Sequence, residues 1–132
     1  MINAIGIALS GLTASSQEID ASAANIANLD TAGSLSDPSK APYTPVSVQQ
    51  TTGAGGSVST VVVPKTPPFV PAFDPGSPFA NSEGQVGFPN IDLAQEAVNI
   101  DIAKTAYRAD LAVIKTAKQM DDELFNAFDT KA

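Results

Sequence analysis

Asp121, Asp122 and Glu123 stand side by side near the C-terminus, the densest set of groups here that could hold a metal ion or move a proton. Their spacing argues against both uses. Consecutive helical residues point in different directions, and no calcium-loop spacing surrounds these three. They read as a solvated acidic face, which mildly disfavours a helix C-terminus. The second candidate, Gly53-Ala54-Gly55-Gly56, looks like a phosphate cradle, but no Gly-Lys-Ser/Thr follows it. There is no Cys and no His. Thiolate catalysis, disulfides and cysteine zinc sites are thereby excluded. The commonest general base and metal ligand is missing as well. Carboxylates, Lys, Arg, Tyr and hydroxyls remain, without a convergent carboxylate pair. The expectation is a chain that is not an enzyme, with no catalytic residue, no cofactor and no metal site.

The net charge of −7 argues against binding nucleic acid or an anionic lipid surface. No small-molecule substrate is expected either. No run reaches the ~20 apolar residues of a spanning helix. The first basic residue is Lys40, so the apolar stretch from Ile2 to Leu12 lacks the charged region of a signal peptide. That leaves a cytoplasmic protein, or export by a route that reads no cleavable signal.

The elements behind these groups follow from proline. All 10 prolines fall between Pro38 and Pro89, and proline breaks helix interiors. One long helix is therefore permitted at each end and none in the middle. In the N-terminal arm Ile2, Ile5, Leu9, Leu12, Ser16, Ile19, Ala23 and Ile26 recur at steps of 3 and 4, a heptad register interrupted only by Ser16. This predicts a helix from about Ala4 to Leu29. Gly6 and Gly11 weaken it by about 1 kcal/mol each and suggest close approach of another backbone or a helix completed by a partner. Asn25 and Asn28 lie one turn apart, and Asp30, Thr31 and Gly33 supply the side-chain bonds and permissive dihedrals that stop a helix.

In the C-terminal arm Asp92 and Gln95 form a capping box, with Glu96 suited to the positive helix end. Ile100, Ala103, Tyr107, Leu111, Ile114, Ala117, Met120, Leu124 and Phe128 continue the stripe. A helix from Asp92 to Phe128 without Gly or Pro favours a coiled coil over a compact core helix. Between the arms, Val46–Thr52 and Val58–Val63 alternate around the glycine loop as a β-hairpin does. Asp74-Pro75-Gly76 and Asn81-Ser82-Glu83-Gly84 read as turns. The chain thus divides into an N-terminal helix (1–29), an Asn/Asp/Pro-rich loop (30–45), a hairpin and turn-rich segment (46–89) and a C-terminal helix (90–132). The fold class is mainly α, with the terminal helices pairing like a coiled coil in an assembly. The centre has too few bulky apolar groups for a core of its own, so the hairpin leans on the helices or on neighbours.

Three strings carry a resemblance. GLTASSQEIDASAANIANLDTAG (11–33) resembles the N-terminal motif of the axial proteins of the bacterial flagellum, the family of rod, hook and hook-associated subunits. Asn25, Asn28, Thr31 and Gly33 occupy its hallmark positions. TAYRADLAVIKTAKQM (105–120) is similar to the family's C-terminal signature, with Asp110 where the family usually has Asn. PFVPAFDPGSPFANSEGQVGFPNIDLAQEAVN (68–99) resembles the proximal-rod members, which lack the large inserted domains of hook and distal-rod subunits.

The resemblance implies a structural subunit of the flagellar basal-body proximal rod, in the drive shaft that carries torque from motor to hook and filament. It implies type III export without a cleavable signal peptide and a periplasmic place in the basal body. Its partners would be other copies of itself, other proximal- and distal-rod proteins, the rod base and the membrane-ring adaptor. The expected subunit interface is Ile5, Leu9, Leu12, Ile19, Ile26, Tyr107, Leu111, Ile114 and Leu124. The alternative is a soluble homodimeric helical adaptor or secretion chaperone that buries both stripes in its own dimer.

Overall fold

A computed structural model describes residues 2–129; residue 1 and residues 130–132, assigned above to the two arms, lie outside the described residues. Helix α1 spans Ile2–Ala27 and helix α2 spans Leu93–Asp129. Asp92 caps α2, its Oδ1 accepting the N–H of Ala94 (2.9 Å) and of Gln95 (3.2 Å). The expected reciprocal half of the capping box does not form. The Gln95 amide instead donates to Asn99 Oδ1 one turn on, at 2.9 Å. α1 stops where Thr31 Oγ1 donates to the carbonyl of Asn28 (2.7 Å) and the Asn28 amide donates to that of Ala24 (2.8 Å).

The helices pack antiparallel, since Asn25 bonds to Glu96 while Gly11 faces Asp110. Their contact is built from small and polar side chains. Ala8, Ala14, Ser15, Ser22 and Asn25 are buried on α1, and Glu96, Ala103 and Ala117 on α2. A Cβ on Gly11 would come within 2.3 Å of Asp110 Oδ2, so the close approach expected at this glycine is real, though it is to a side chain rather than to backbone. At Gly6 nothing of the chain lies within 4 Å, so no close approach within the chain accounts for that glycine.

The apolar stripe of α1 sits one residue on from this seam: Leu9 after Ala8, Leu12 after Gly11, Ala23 after Ser22, Ile26 after Asn25. One residue turns the side chain about 100° around the helix. The small residues let the two backbones close up, and the larger ones are displaced to the open flank. On the pairing level of Asn25 with Glu96, the first turn of α1 lies beside about residue 119 of α2. The last ten or so described residues of α2, about 15 Å of helix, run on past it.

Strands β1 (Val46–Thr52) and β2 (Val58–Pro64) form the expected antiparallel hairpin, with Val48 opposite Val62 and Gln50 opposite Thr60. Its loop needs Gly55 and Gly56, both in the left-handed region at φ 72° and 84°. The hairpin leans on α1. Gln50 donates to Glu18 Oε1 at 2.7 Å, Thr60 donates to Gln17, and the N–H of Val58 donates to Ser10 Oγ at 3.0 Å.

A second ribbon pairs β3 (Phe69–Phe73) with β4 (Gln85–Pro89). Residue patterns alone show only turns here, because Pro71, Gly87 and Pro89 disguise both strands. Those turns connect the ribbon: Asn81 Oδ1 accepts the N–H of Glu83 (2.9 Å) and of Gln85 (2.8 Å).

The buried apolar residues are Ala8, Ala14, Val86, Ala103 and Ala117, together with Pro42, Pro45 and Pro89. Alanine methyls remove little area from water, at about 25 cal/mol per Å². Helices with so little packing stay close to the balance between nucleation and propagation. Amide exchange in the isolated chain is therefore expected to be fast in α1 before about Gly11 and in α2 after about Asp110, and slowest around Asn25 and Glu96. Uniform protection along both helices would contradict this.

Candidate functional site: a polar junction and an open apolar flank

Asn25 lies where α1, the loop and β1 meet, and its side chain is 1 % exposed. An Asn side chain offers two N–H donors and one carbonyl with two lone pairs. All are used. Oδ1 accepts the Val46 N–H at 3.0 Å and the Tyr43 hydroxyl at 3.2 Å, while Nδ2 donates to the Val46 carbonyl at 2.8 Å and to Glu96 Oε1 at 3.0 Å. One side chain thus docks the hairpin's first strand and ties α1 to the start of α2.

Glu96 is also 1 % exposed, and Lys65, just past β2, forms an ion pair with its Oε1. Asn99 Nδ2 reaches Oε2 at 3.5 Å, and Ser22 donates a further hydrogen bond. Lys65 is held in place by its own N–H, which donates to the carbonyl of Pro45 at 2.8 Å. Burial by itself would raise the Glu96 pKa. The bond from Lys65, those from Ser22 and Asn25, and the Lys65 charge together outweigh it and hold the carboxyl below its usual range. Tyr43 is pushed up from the usual phenol value by burial and by the Glu96 charge.

A lowered carboxyl adds stability that is present above its unfolded value, about 4.3, and lost as pH falls through the folded value. A raised phenol adds stability that is present below about 10 and lost above it. Unfolding by urea is expected to be hardest between about pH 5 and 9. An unchanged midpoint at pH 3.5 would count against a buried ionised Glu96.

Gly33 does not act as a left-handed helix stop, which corrects the expectation for it: the glycines at positive φ are Gly55, Gly56 and Gly84. Gly33 exchanges two 2.9 Å backbone bonds with Gly87, joining the loop after α1 to β4. A Cβ here would lie 2.3 Å from Pro42 N and 2.7 Å from Lys40 O. These are backbone atoms that cannot swing aside. Gly33→Ala is expected to cost about 1–3 kcal/mol, whereas Gly6→Ala, in open space, should stabilise by about 0.5–1 kcal/mol. Equal urea midpoints for the two would remove the steric argument.

Of the four residues Asn25, Asn28, Thr31 and Gly33, only Asn25 bonds across this junction; Asn28 and Thr31 bond within the end of α1, and Gly33 pairs with Gly87. Sequence reasoning missed Lys65 altogether and saw in Glu96 only a favourable helix start. Their signal was weak: a lone Lys just past a strand of valines, and a Glu in the first turn of a helix.

The residues expected at the subunit interface stand elsewhere. Ile5, Leu12, Ile19, Ile26 and Ile114 are half-buried, and Leu9, Tyr107, Leu111 and Leu124 are exposed, Leu9 by 58 %. Val98, Ile102 and Val113 are also exposed on α2. Among the described residues no cluster of three His, Cys, Asp or Glu could hold a metal ion, and no helix is long and apolar enough to cross a membrane.

Residues 5–33, which contain α1 from Ile5 onward and include Asn25, Asn28, Thr31 and Gly33, match the family model described as flagella basal body rod protein. Over 91 % of its length the chain is similar to flagellar basal-body rod proteins FlgC, and it covers 92 % of each. Identity is 35 % with the protein of Escherichia coli O6:H1 and 33 % with that of Yersinia enterocolitica. With the protein of Borreliella burgdorferi it is 30 %. At this identity and coverage the chain belongs to the FlgC family of flagellar basal-body rod proteins.

Proposed function

We propose that the chain is a structural subunit of the proximal rod, exported by the flagellar type III system without a cleavable signal and assembled in the periplasm through its terminal helices. One observation supports this most. The chain pairs its own helices through Ala, Ser, Gly and Asn, and leaves the larger apolar residues of both only half-buried or exposed on its flanks. A self-contained protein would bury Leu and Ile first, since each is worth about 1.5–3 kcal/mol. Here Ile5, Leu9, Leu12, Ile19 and Ile26 on α1, with Tyr107, Leu111, Ile114 and Leu124 on α2, form the surface for neighbouring subunits. These neighbours are other copies of the chain, proximal- and distal-rod proteins, the rod base and the membrane-ring adaptor.

The polar junction has a separate task. It fixes the hairpin and the second ribbon to one end of the helix pair, so that torque entering the helices is passed to the outer segments. The test is location. Isolated basal bodies are expected to contain the protein in the rod fraction. A stable, fully helical homodimer that is absent from basal bodies would favour the adaptor reading instead.

A further inference from the structure

Each β-ribbon has an edge left open. In the hairpin the N–H of Lys65 donates to the carbonyl of Pro45 at 2.8 Å. By alternation Ser59, Val61 and Val63 bond to β1, and Val58, Thr60, Val62 and Pro64 turn their backbone groups outward. α1 closes this edge at one end, where the N–H of Val58 donates to Ser10 Oγ. Among the described residues nothing bonds to the backbone of Thr60 or Val62 on that side. In the second ribbon the N–H of Asp74 donates to the carbonyl of Gly84 at 2.9 Å, so Phe69, Pro71 and Phe73 turn outward from β3. The edge of β4 is already taken, by the bridge from Gly87 to Gly33. β2 and β3 carry no charge. Apart from Leu35, the exposed large apolar residues between the helices all stand on these two strands: Val61, Val62, Val70 and Phe73. An open apolar edge is a template for a further strand. In one chain β2 and β3 lie in separate sheets. The link between them is pinned, Lys65 to Glu96 and the carbonyls of Pro67 and Pro68 to Asn90.

We propose that β3 of one copy adds to the open edge of β2 in a second copy, running antiparallel, so that the two ribbons join into one four-stranded sheet. A second copy supplies an uncharged edge of matching length, five residues in β3 against Thr60–Pro64. Ser10 sets the register. It occupies the edge at Val58, so the incoming strand stops at Thr60. Thr60 then lies opposite Phe73, Val62 opposite Pro71 and Pro64 opposite Phe69. Every remaining outward N–H, on Thr60, Val62, Phe69 and Phe73, meets a carbonyl there, and the two prolines, which bring no N–H, stand at different levels. On the face turned from α1, Val61 meets Ala72 and Val63 meets Val70. The two edges belong to different strands, so a copy receives one neighbour on β2 while giving β3 to another. No residue is used twice, and the contact is head-to-tail. The inference rests on the rod reading, which supplies the neighbouring copies, and adds to it the strands and the register that join them.

The absence of cysteine makes a disulfide test clean. Val61 and Ala72 form a non-hydrogen-bonded pair in this register, with Cα atoms about 4.5 Å apart, within reach of a disulfide. Three strains are compared: one makes full-length Val61→Cys, one makes Ala72→Cys, and one makes both as separate chains. After mild oxidation of their basal bodies, the third strain is expected to give a dimer of the chain in at least fivefold the yield of either single variant. As much dimer from Val61→Cys alone overturns the proposal in favour of two β2 edges meeting about a two-fold axis. Equal or greater yield when Val70→Cys replaces Ala72→Cys overturns the register, since Val70 is about 7–8 Å away on the diagonal. Protein present in the basal bodies of the third strain without the bond rejects the contact and leaves the rod reading standing. Absence of the parent protein from basal bodies rejects the rod reading. The same comparison on the purified variants, alone and mixed, then decides the contact: a dimer from the mixture alone upholds it, and none rejects it.

Discussion

Lys65→Met is expected to destabilise the isolated chain by about 3–5 kcal/mol, the cost of stranding a buried charge by removing its partner. Glu96 is 1 % exposed, and Lys65 is the cation bonded to it. The remaining bonds from Asn25, Asn99 and Ser22 are neutral donors. Against a total of about 5–15 kcal/mol for a domain, such a loss leaves a chain with so small a core largely unfolded. The double variant Lys65→Met/Glu96→Gln is expected to regain more than half of the loss, because an amide at 96 removes the charge and keeps hydrogen bonds to Asn25 and Ser22. The single-variant penalty should also be smaller at pH 4 than at pH 7, because burial without Lys65 favours the protonated carboxyl. Urea unfolding followed by circular dichroism at pH 7 and pH 4 measures all three. A loss below about 1 kcal/mol at pH 7 would mean that the pair is dispensable.

Both helices and the hairpin were legible in the sequence because each announces itself locally. Periodicity at 3.6 residues, the Asp92 cap, the prolines confined to the centre and the valine alternation around Gly55-Gly56 need no knowledge of partners. What contacts what was not legible in the same way. The heptad stripe through Leu9, Leu12 and Ile19 invites the inference that it is the seam, but the closest approach between the helices runs through Ala8, Gly11, Ser15, Ser22 and Asn25. Small residues carry almost no hydropathy signal, and their role is steric, visible only when the opposing backbone is present. The Asn25–Glu96–Lys65 junction was hidden for a related reason. Its members are 31 and 71 residues apart in pairs, and each has a bland local explanation as a helix stop, a helix start and a surface lysine. The resemblance pointed to Asn25 without giving its physical task, which is to dock the first strand of the hairpin.

That division between seam and stripe separates folding from assembly, and substitutions can test it. Leu9→Asp places a charge on a residue that is 58 % exposed in the isolated chain. Monomer stability should change by no more than about 0.5 kcal/mol. In a packed assembly the same carboxylate would sit unpaired in an apolar contact, at several kcal/mol per copy. Because each subunit repeats the defect, cells carrying Leu9→Asp are expected to be non-motile and to lack a rod, while the purified variant keeps the circular dichroism of the parent. Leu12→Asp and Ile114→Asp are expected to give the same loss of motility with some loss of monomer helix, since both positions are half-buried by the chain itself. Electron microscopy of basal bodies and swimming in soft agar read the assembly, and dichroism reads the monomer. Normal swimming with Leu9→Asp would remove the open flank of α1 from the interface. Loss of motility together with an unfolded monomer would instead place Leu9 among the residues that hold the single chain together.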